Sequence, residues 1–196
     1  MSSHHVVREQ QEPALIIADI SDISLQHLQP LLEWSPTILV LQDSIDVVLS
    51  WRIKIDGIAI NDDKLPEIRE KVEEQQPLQL LTTQTGNRTI DVALEYLIER
   101  NYESVNIIGD EVLLFPLLDQ YVSNIQLVIY NKTRRSYYVA GQYSKWVTAQ
   151  TRFNIFPENE NVETNGLQII NDLFVSVKDG IIEFNNRRPF WVIEYL

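Results

Sequence analysis

A chain of 196 residues is long enough to bury a core without disulfide or metal staples, and it fits one large domain or two small ones. It contains no cysteine, which excludes disulfide frameworks, thiolate zinc sites and cysteine nucleophiles and points to a reducing compartment, the cytoplasm. With 28 acidic against 16 basic residues the net charge is -12, which opposes binding to a nucleic-acid backbone; the nearest basic cluster, Lys132, Arg134 and Arg135, reads as a solvated turn.

The polar stretch Met1 to Pro13 reads as a flexible arm without the basic flank and apolar core of a signal peptide, and no later apolar run approaches a membrane span. Short runs rich in Val, Ile and Leu follow at Ala14 to Ala18, Thr37 to Leu41, Gly57 to Ile60, Leu78 to Thr82, Val105 to Ile108 and Ile125 to Tyr130. Between them Ser24 to Leu32, Leu65 to Gln75, Thr89 to Arg100 and Val112 to Tyr121 have helical period, which is the alternation of βαβ units and a parallel sheet. Thr89 to Arg100 is the clearest helix, with Ile90, Ala93, Leu94 and Leu97 on one face.

After about Asn131 the helical period fades. Tyr137 to Val139, Phe153 to Phe156, Phe174 to Val177, Ile181 to Phe184 and Phe190 to Tyr195 are short β-type runs, and Lys178-Asp179-Gly180-Ile181 is a two-residue hairpin signal. The chain reads as α/β plus all-β: an N-terminal parallel-sheet α/β domain over 14–131, then a small C-terminal antiparallel β-sandwich over 132–196.

In an open parallel sheet ligands bind beyond the carboxyl ends of the strands. Here those positions are largely acidic: Asp19 and Asp22, Asp43 and Asp46, Asn61 with Asp62 and Asp63, and Asp110 with Glu111. Such carboxylates either hold Mg²⁺ or cap the helices they precede. There is neither Gly-x-Gly-x-x-Gly nor a Walker-type loop; Gly86-Asn87-Arg88-Thr89 opens the clearest helix and offers N–H groups and one guanidinium to an anion, or an ordinary cap by Asn87 or Thr89. His4, His5 and His27 have no metal or triad spacing. Trp34, Trp51, Trp146 and Trp191 are spread over both halves, as core residues would be, with Trp146 the exception.

These residues resemble the thiamine pyrophosphokinase family, whose members join an α/β domain to a β-sandwich and convert ATP and thiamine to AMP and thiamine diphosphate with Mg²⁺. The resemblance runs over nearly the whole chain and is carried by Ile38 to Ile60, Leu80 to Gly109 and Gly141 to Pro157. Within the last, Gly-Gln-Tyr-Ser-Lys-Trp and Phe153 to Pro157 look like the family's sandwich strands, and Asn165-Gly166-Leu167 looks like its "x-Gly-Leu" turn. The departures fall on the chemistry. Gln42-Asp43 stands for the family's Asp-Gly, and Ile60-Asn61-Asp62-Asp63 for its Gly-Asp-x-Asp. Gln84 and Thr89 stand for two acids, Val92 stands for a lysine, and a Gly-Gly-Arg-x-Asp-His segment is missing after Gly109. Since one donor of this kind is worth roughly 3 kcal/mol in a transition state, these changes together predict impaired or lost catalysis.

Three readings follow. A silent relative would keep the fold as a binding or regulatory partner. A working enzyme would use Asp43 and Asp63 as catalytic carboxylates, Asp62, Asp63 and Asp110 for Mg²⁺ and Arg88 and Thr89 for ATP, and needs those carboxylates to converge on one cleft. A small-ligand sensor would set Tyr137, Tyr143 and Trp146 around a cationic or aromatic ligand, against their alternative as sandwich core. The resemblance also implies a homodimer with the apolar Phe190 to Leu196 at its interface.

Overall fold

The computed structural model describes residues 12–21, 23–75, 77–158 and 161–196. The arm expected over 1–13 therefore lies outside the described residues except for Glu12 and Pro13, as do His4, His5 and Asp22. The chain divides into two compact units, Met1–Leu127 and Val128–Leu196.

In the first unit β1 (Ala14–Ile17), β2 (Ile38–Leu41), β3 (Gly57–Asn61), β4 (Gln79–Thr83) and β5 (Ser104–Ile108) pair in parallel in the order β4-β3-β2-β1-β5. Every residue of β1, β2 and β3 is buried, which is why their sequences are unbroken apolar runs rather than alternating ones. Gly57 is needed at the start of β3, because a Cβ there would stand 2.8 Å from Leu39 Cδ2 and 3.3 Å from the Gln79 carbonyl oxygen. The crossovers carry α1 (Leu25–Leu32), α2 (Ile45–Ser50), α3 (Leu65–Lys71) and α4 (Thr89–Glu99), and α5 (Glu111–Leu118) follows β5. Chain order runs outward from β1 to β4 and then returns to β5 on the other side, so the order reverses beside β1. That is where such sheets open a crevice.

The second unit is a two-sheet antiparallel sandwich. Its strands are β6 (Gln126–Tyr130), which spans the boundary, β7 (Arg134–Val139), β8 (Gln142–Val147), β9 (Arg152–Phe156), β10 (Glu163–Asn165), β11 (Leu167–Ile170), β12 (Leu173–Ser176), β13 (Gly180–Asn185) and β14 (Phe190–Tyr195). One sheet runs β11-β12-β9-β14-β7-β6 and the other β10-β13-β8. Between them Val139, Val147, Phe153, Ile155, Ile182, Phe184, Phe190 and Val192 form the core. The rings of Phe153 and Phe174 meet Phe184 edge-on at 5.7 and 5.3 Å, the arrangement aromatic quadrupoles favour.

Two expectations are corrected. Lys178-Asp179-Gly180-Ile181 is not a hairpin: β12 pairs with β9 and β11, β13 with β8 and β10, so this turn crosses between sheets. The Asp179 carboxylate accepts from the Ala149 N–H at 2.8 Å, which holds the crossing. The two-residue hairpin lies instead at Asn171-Asp172, both with positive φ, between β11 and β12. Phe190 to Leu196 is likewise not an exposed face throughout: β14 runs between β7 and β9 and Phe190 to Glu194 are buried, while Leu196 is exposed.

Candidate functional site

The carboxyl ends of β2, β3 and β4 are joined by side-chain amides. β2 ends at Leu41 and the chain turns through Gln42–Ser44, where Ser44 Oγ donates to the Ala18 carbonyl beyond β1 at 3.1 Å. Gln42 Nε2 donates to Asn61 Oδ1 at 3.0 Å, and the Asn61 backbone N–H returns the bond to Gln42 Oε1 at 3.0 Å. Asn61 Nδ2 then donates to the carbonyls of Gln84 and Asn87, at 3.1 and 3.0 Å, in the turn that opens α4. Asn61 is buried, so this position is chemically fixed. An amide offers two donors and an acceptor, and both donors are used on carbonyl oxygens. A carboxylate there would aim lone pairs at those carbonyls.

The acids around this hub are exposed and engaged in turns. Asp43 and Asp62 are exposed; Asp63 accepts from Thr85 Oγ1 at 2.8 Å. Asp110 caps α5 through a 2.9 Å bond from the Val112 N–H, and Asp46 pairs with Lys71 at 2.8 Å. Among the described residues, no three histidine or acidic side chains come together in a group that would hold a metal. Among the described residues Asp43, Asp62, Asp63 and Asp110 therefore do not gather into such a group, and the two strand-end positions beside them, Gln42 and Asn61, offer amides where Mg²⁺ prefers anionic oxygens.

Beside the hub lies a cleft of about 260 Å³ reaching from Ala18 and Gln42 past Asp43 to Arg88, Thr89 and Ile90 at the start of α4, with Leu114 and Leu117 opposite. The expected cap by Asn87 or Thr89 is not formed. Arg88 is the N-cap residue in extended backbone, and no side chain caps the helix. The Asn87 carbonyl is occupied by Asn61, while its side chain reaches Thr83 Oγ1 at 3.4 Å. Thr89 is buried at the first helical position and lines the cleft. Arg88 is turned onto its own helix, Nε to Asp91 Oδ2 at 2.7 Å, and Asp91 also accepts from Gln120 Nε2 at 3.4 Å. The cleft thus presents an uncapped helix N-terminus and a guanidinium committed to a neighbouring carboxylate.

In the second unit Tyr143 and Trp146 do not share a face. Three residues apart on β8, they point to opposite sides: Tyr143 packs against the core and Trp146 is 61% exposed. Tyr137 lies 5.4 Å from Tyr143, but its ring is attended by the protein's own cations, Arg135 and Lys145, each 5.6 Å from the ring centre. Both cations are held by the buried carboxylate of Glu194. Arg135 reaches it through Nε at 2.8 Å and Nη2 at 3.1 Å, and Lys145 Nζ at 2.6 and 2.9 Å. Burial alone pushes Glu194 upward; the bonds from Arg135 and Lys145 outweigh it and hold the carboxyl below its usual range. A cage for an outside cation is accordingly filled from within.

Neither the amide hub nor the Glu194 cluster follows from motif reading. The available signals were two amide residues at the ends of successive parallel strands, Gln42 just past β2 and Asn61 closing β3, and one Glu two residues after Val192 and four after Phe190 on a buried strand.

By sequence alone no family model and no curated protein matches the chain. The fold does have close counterparts. The thiamine pyrophosphokinase of Bacillus subtilis superposes with a TM-score of 0.69 at 13% identity, over 93% of this chain and 98% of that one. The enzyme of Geobacillus thermodenitrificans gives 0.70 at 13% identity over 93% and 97%, and that of Candida albicans 0.68 at 8% over 96% and 90%. An α/β unit built on a parallel sheet and followed by an antiparallel sandwich thus defines the class. This chain has the thiamine pyrophosphokinase fold.

Proposed function

We propose that this chain is a catalytically silent member of that fold group, a cytoplasmic binding protein that takes up the phosphate end of a nucleotide such as ATP without Mg²⁺ and transfers no pyrophosphate to thiamine. The observation that carries this reading is Asn61, whose amide spends both donors on the Gln84 and Asn87 carbonyls where a metal-binding site would need a carboxylate. The uncapped start of α4 supports the anion end of the reading, with Thr89 on the cleft wall and Arg88 able to swing from Asp91 to a phosphate. The cysteine-free composition suits a reducing compartment, and no helix among the described residues is long and apolar enough to cross a membrane. A homodimer is carried over from the family resemblance.

The test is calorimetry with ATP in EDTA, then with Mg²⁺. Weak binding that Mg²⁺ does not strengthen is expected, tightening severalfold in Asp91→Asn, which frees Arg88. Binding that appears only with Mg²⁺ would overturn the reading.

A further inference from the structure

The parallel sheet of the first unit ends on an open strand edge. β4 pairs with β3 residue for residue from Gln79 to Thr83, and among the described residues no strand pairs with its other side. The Gln79 N–H donates to the Asp56 carbonyl at 2.9 Å, on the β3 side. Backbone direction alternates along a parallel strand, so Gln79, Leu81 and Thr83 address β3, while the N–H and C=O groups of Leu80 and Thr82 point away from it. No described residue bonds to those outward groups. Sheet edges are ordinarily closed to further strands by charge, proline, a bulge or a covering loop. β4 is uncharged, contains no proline and pairs without a bulge.

Beside this edge runs a groove of about 560 Å³, lined by Thr82 and Thr83 of β4, the Gly86-Asn87-Arg88 turn, and Asp91, Val92 and Glu95 of α4. Arg88 and Asp91 neutralise one another at 2.7 Å. Asn87 spends its carbonyl on Asn61 and its side chain on Thr83. That leaves Val92 as the apolar part of the wall and Glu95, exposed and without a cation partner among the described residues, as its free charge.

We infer that the β4 edge takes up an extended, basic segment of another protein as an added strand. The segment's backbone bonds to Leu80 and Thr82, and because side chains alternate, every second residue lies toward α4, where a Lys or Arg meets Glu95. Two observations select this occupant. Unused N–H and C=O groups spaced two residues apart are the pattern that an extended backbone completes. The charge around them is acidic: residues 62–100, which include β4, α4 and the turn between them, carry 9 acidic and 5 basic side chains. A basic segment is therefore drawn to the edge, and a second copy of this acidic unit is repelled from it.

The probe is a capped, fluorescent peptide of alternating Lys and Val, read by anisotropy with the full chain at low salt. Binding is expected, weakening as salt rises. The same peptide N-methylated throughout keeps every charge but has no N–H to give the Leu80 and Thr82 carbonyls, and it should bind at least about tenfold more weakly. Thr82→Pro removes an outward N–H, a change that an edge strand tolerates, so the melting transition should hold while binding falls at least about tenfold. Glu95→Gln should weaken binding about threefold, as loss of an exposed ion pair would. No binding of the Lys and Val peptide overturns the proposal. So does equal binding of its methylated form, since the attraction would then be charge alone, or undiminished binding by Thr82→Pro with its melting unchanged. A wild-type dimer that Thr82→Pro converts to monomer in sedimentation also overturns it, because a second copy would then occupy the edge.

Discussion

Asn61 and Glu194 are the two buried polar positions whose chemistry leaves least freedom. For Asn61→Asp the new carboxylate faces two carbonyl oxygens and loses two donated bonds, so a loss of about 1–3 kcal/mol is expected in urea denaturation. If millimolar Mg²⁺ restored that stability fully, the position would be a metal site after all. Glu194 carries a pH signature. Its carboxyl titrates lower in the fold than when unfolded, so its contribution is fully present above the ordinary carboxylate range and is lost as pH falls through the depressed folded value. Thermal melts should therefore fall steeply below about pH 4. Glu194→Gln should flatten that acid limb and cost about 2–3 kcal/mol at neutral pH, less than a fully buried pair because Arg135 and Lys145 reach solvent at one end.

At the scale of elements, α4 is a helix whose first turn is held by packing rather than by a cap. Ile90, Ala93, Leu94 and Leu97 are buried, while the N-cap side chain makes no bond to the helix backbone. Arg88 already has the extended backbone that a capping residue uses, so Arg88→Ser should raise stability by about 1 kcal/mol in thermal or urea unfolding. The same change should abolish ATP uptake, since it removes the guanidinium and fills the open helix end. Most elements were legible in the sequence because burial on both faces writes itself as an apolar run, as in Ile38–Leu41, and because α4 shows a clean helical period. α2 was not, being six residues entered from a tight turn. β8 showed only through the family resemblance, because alternating Gln142, Ser144 and Trp146 with Tyr143 and Lys145 gives no apolar contrast. The Asp179-Gly180 turn misled because local turn chemistry does not say which sheet the next strand joins.

For the whole molecule, the charge is carried almost entirely by one unit: residues 1–127 hold 21 acidic and 8 basic side chains, residues 128–196 hold 7 and 8. The acidic unit is the one with the candidate cleft, and it repels a polyphosphate unless metal ions or fixed donors intervene. That sharpens the consequence of the amide hub. The family resemblance pointed to Gln42 and Asn61 as amides standing where the family has acids, but which carbonyls those amides would reach depends on three crossovers meeting, which no local pattern encodes. On the proposed reading, the apolar pattern that builds the fold and the polar positions that would drive pyrophosphoryl transfer are separate sets of residues, of which this chain keeps the first. The most direct measurement is chromatographic detection of thiamine diphosphate and AMP after incubating the purified chain with thiamine, ATP and Mg²⁺. Product no greater than in the protein-free control is the outcome this account requires; thiamine-dependent formation of AMP and thiamine diphosphate in equal amounts would contradict it.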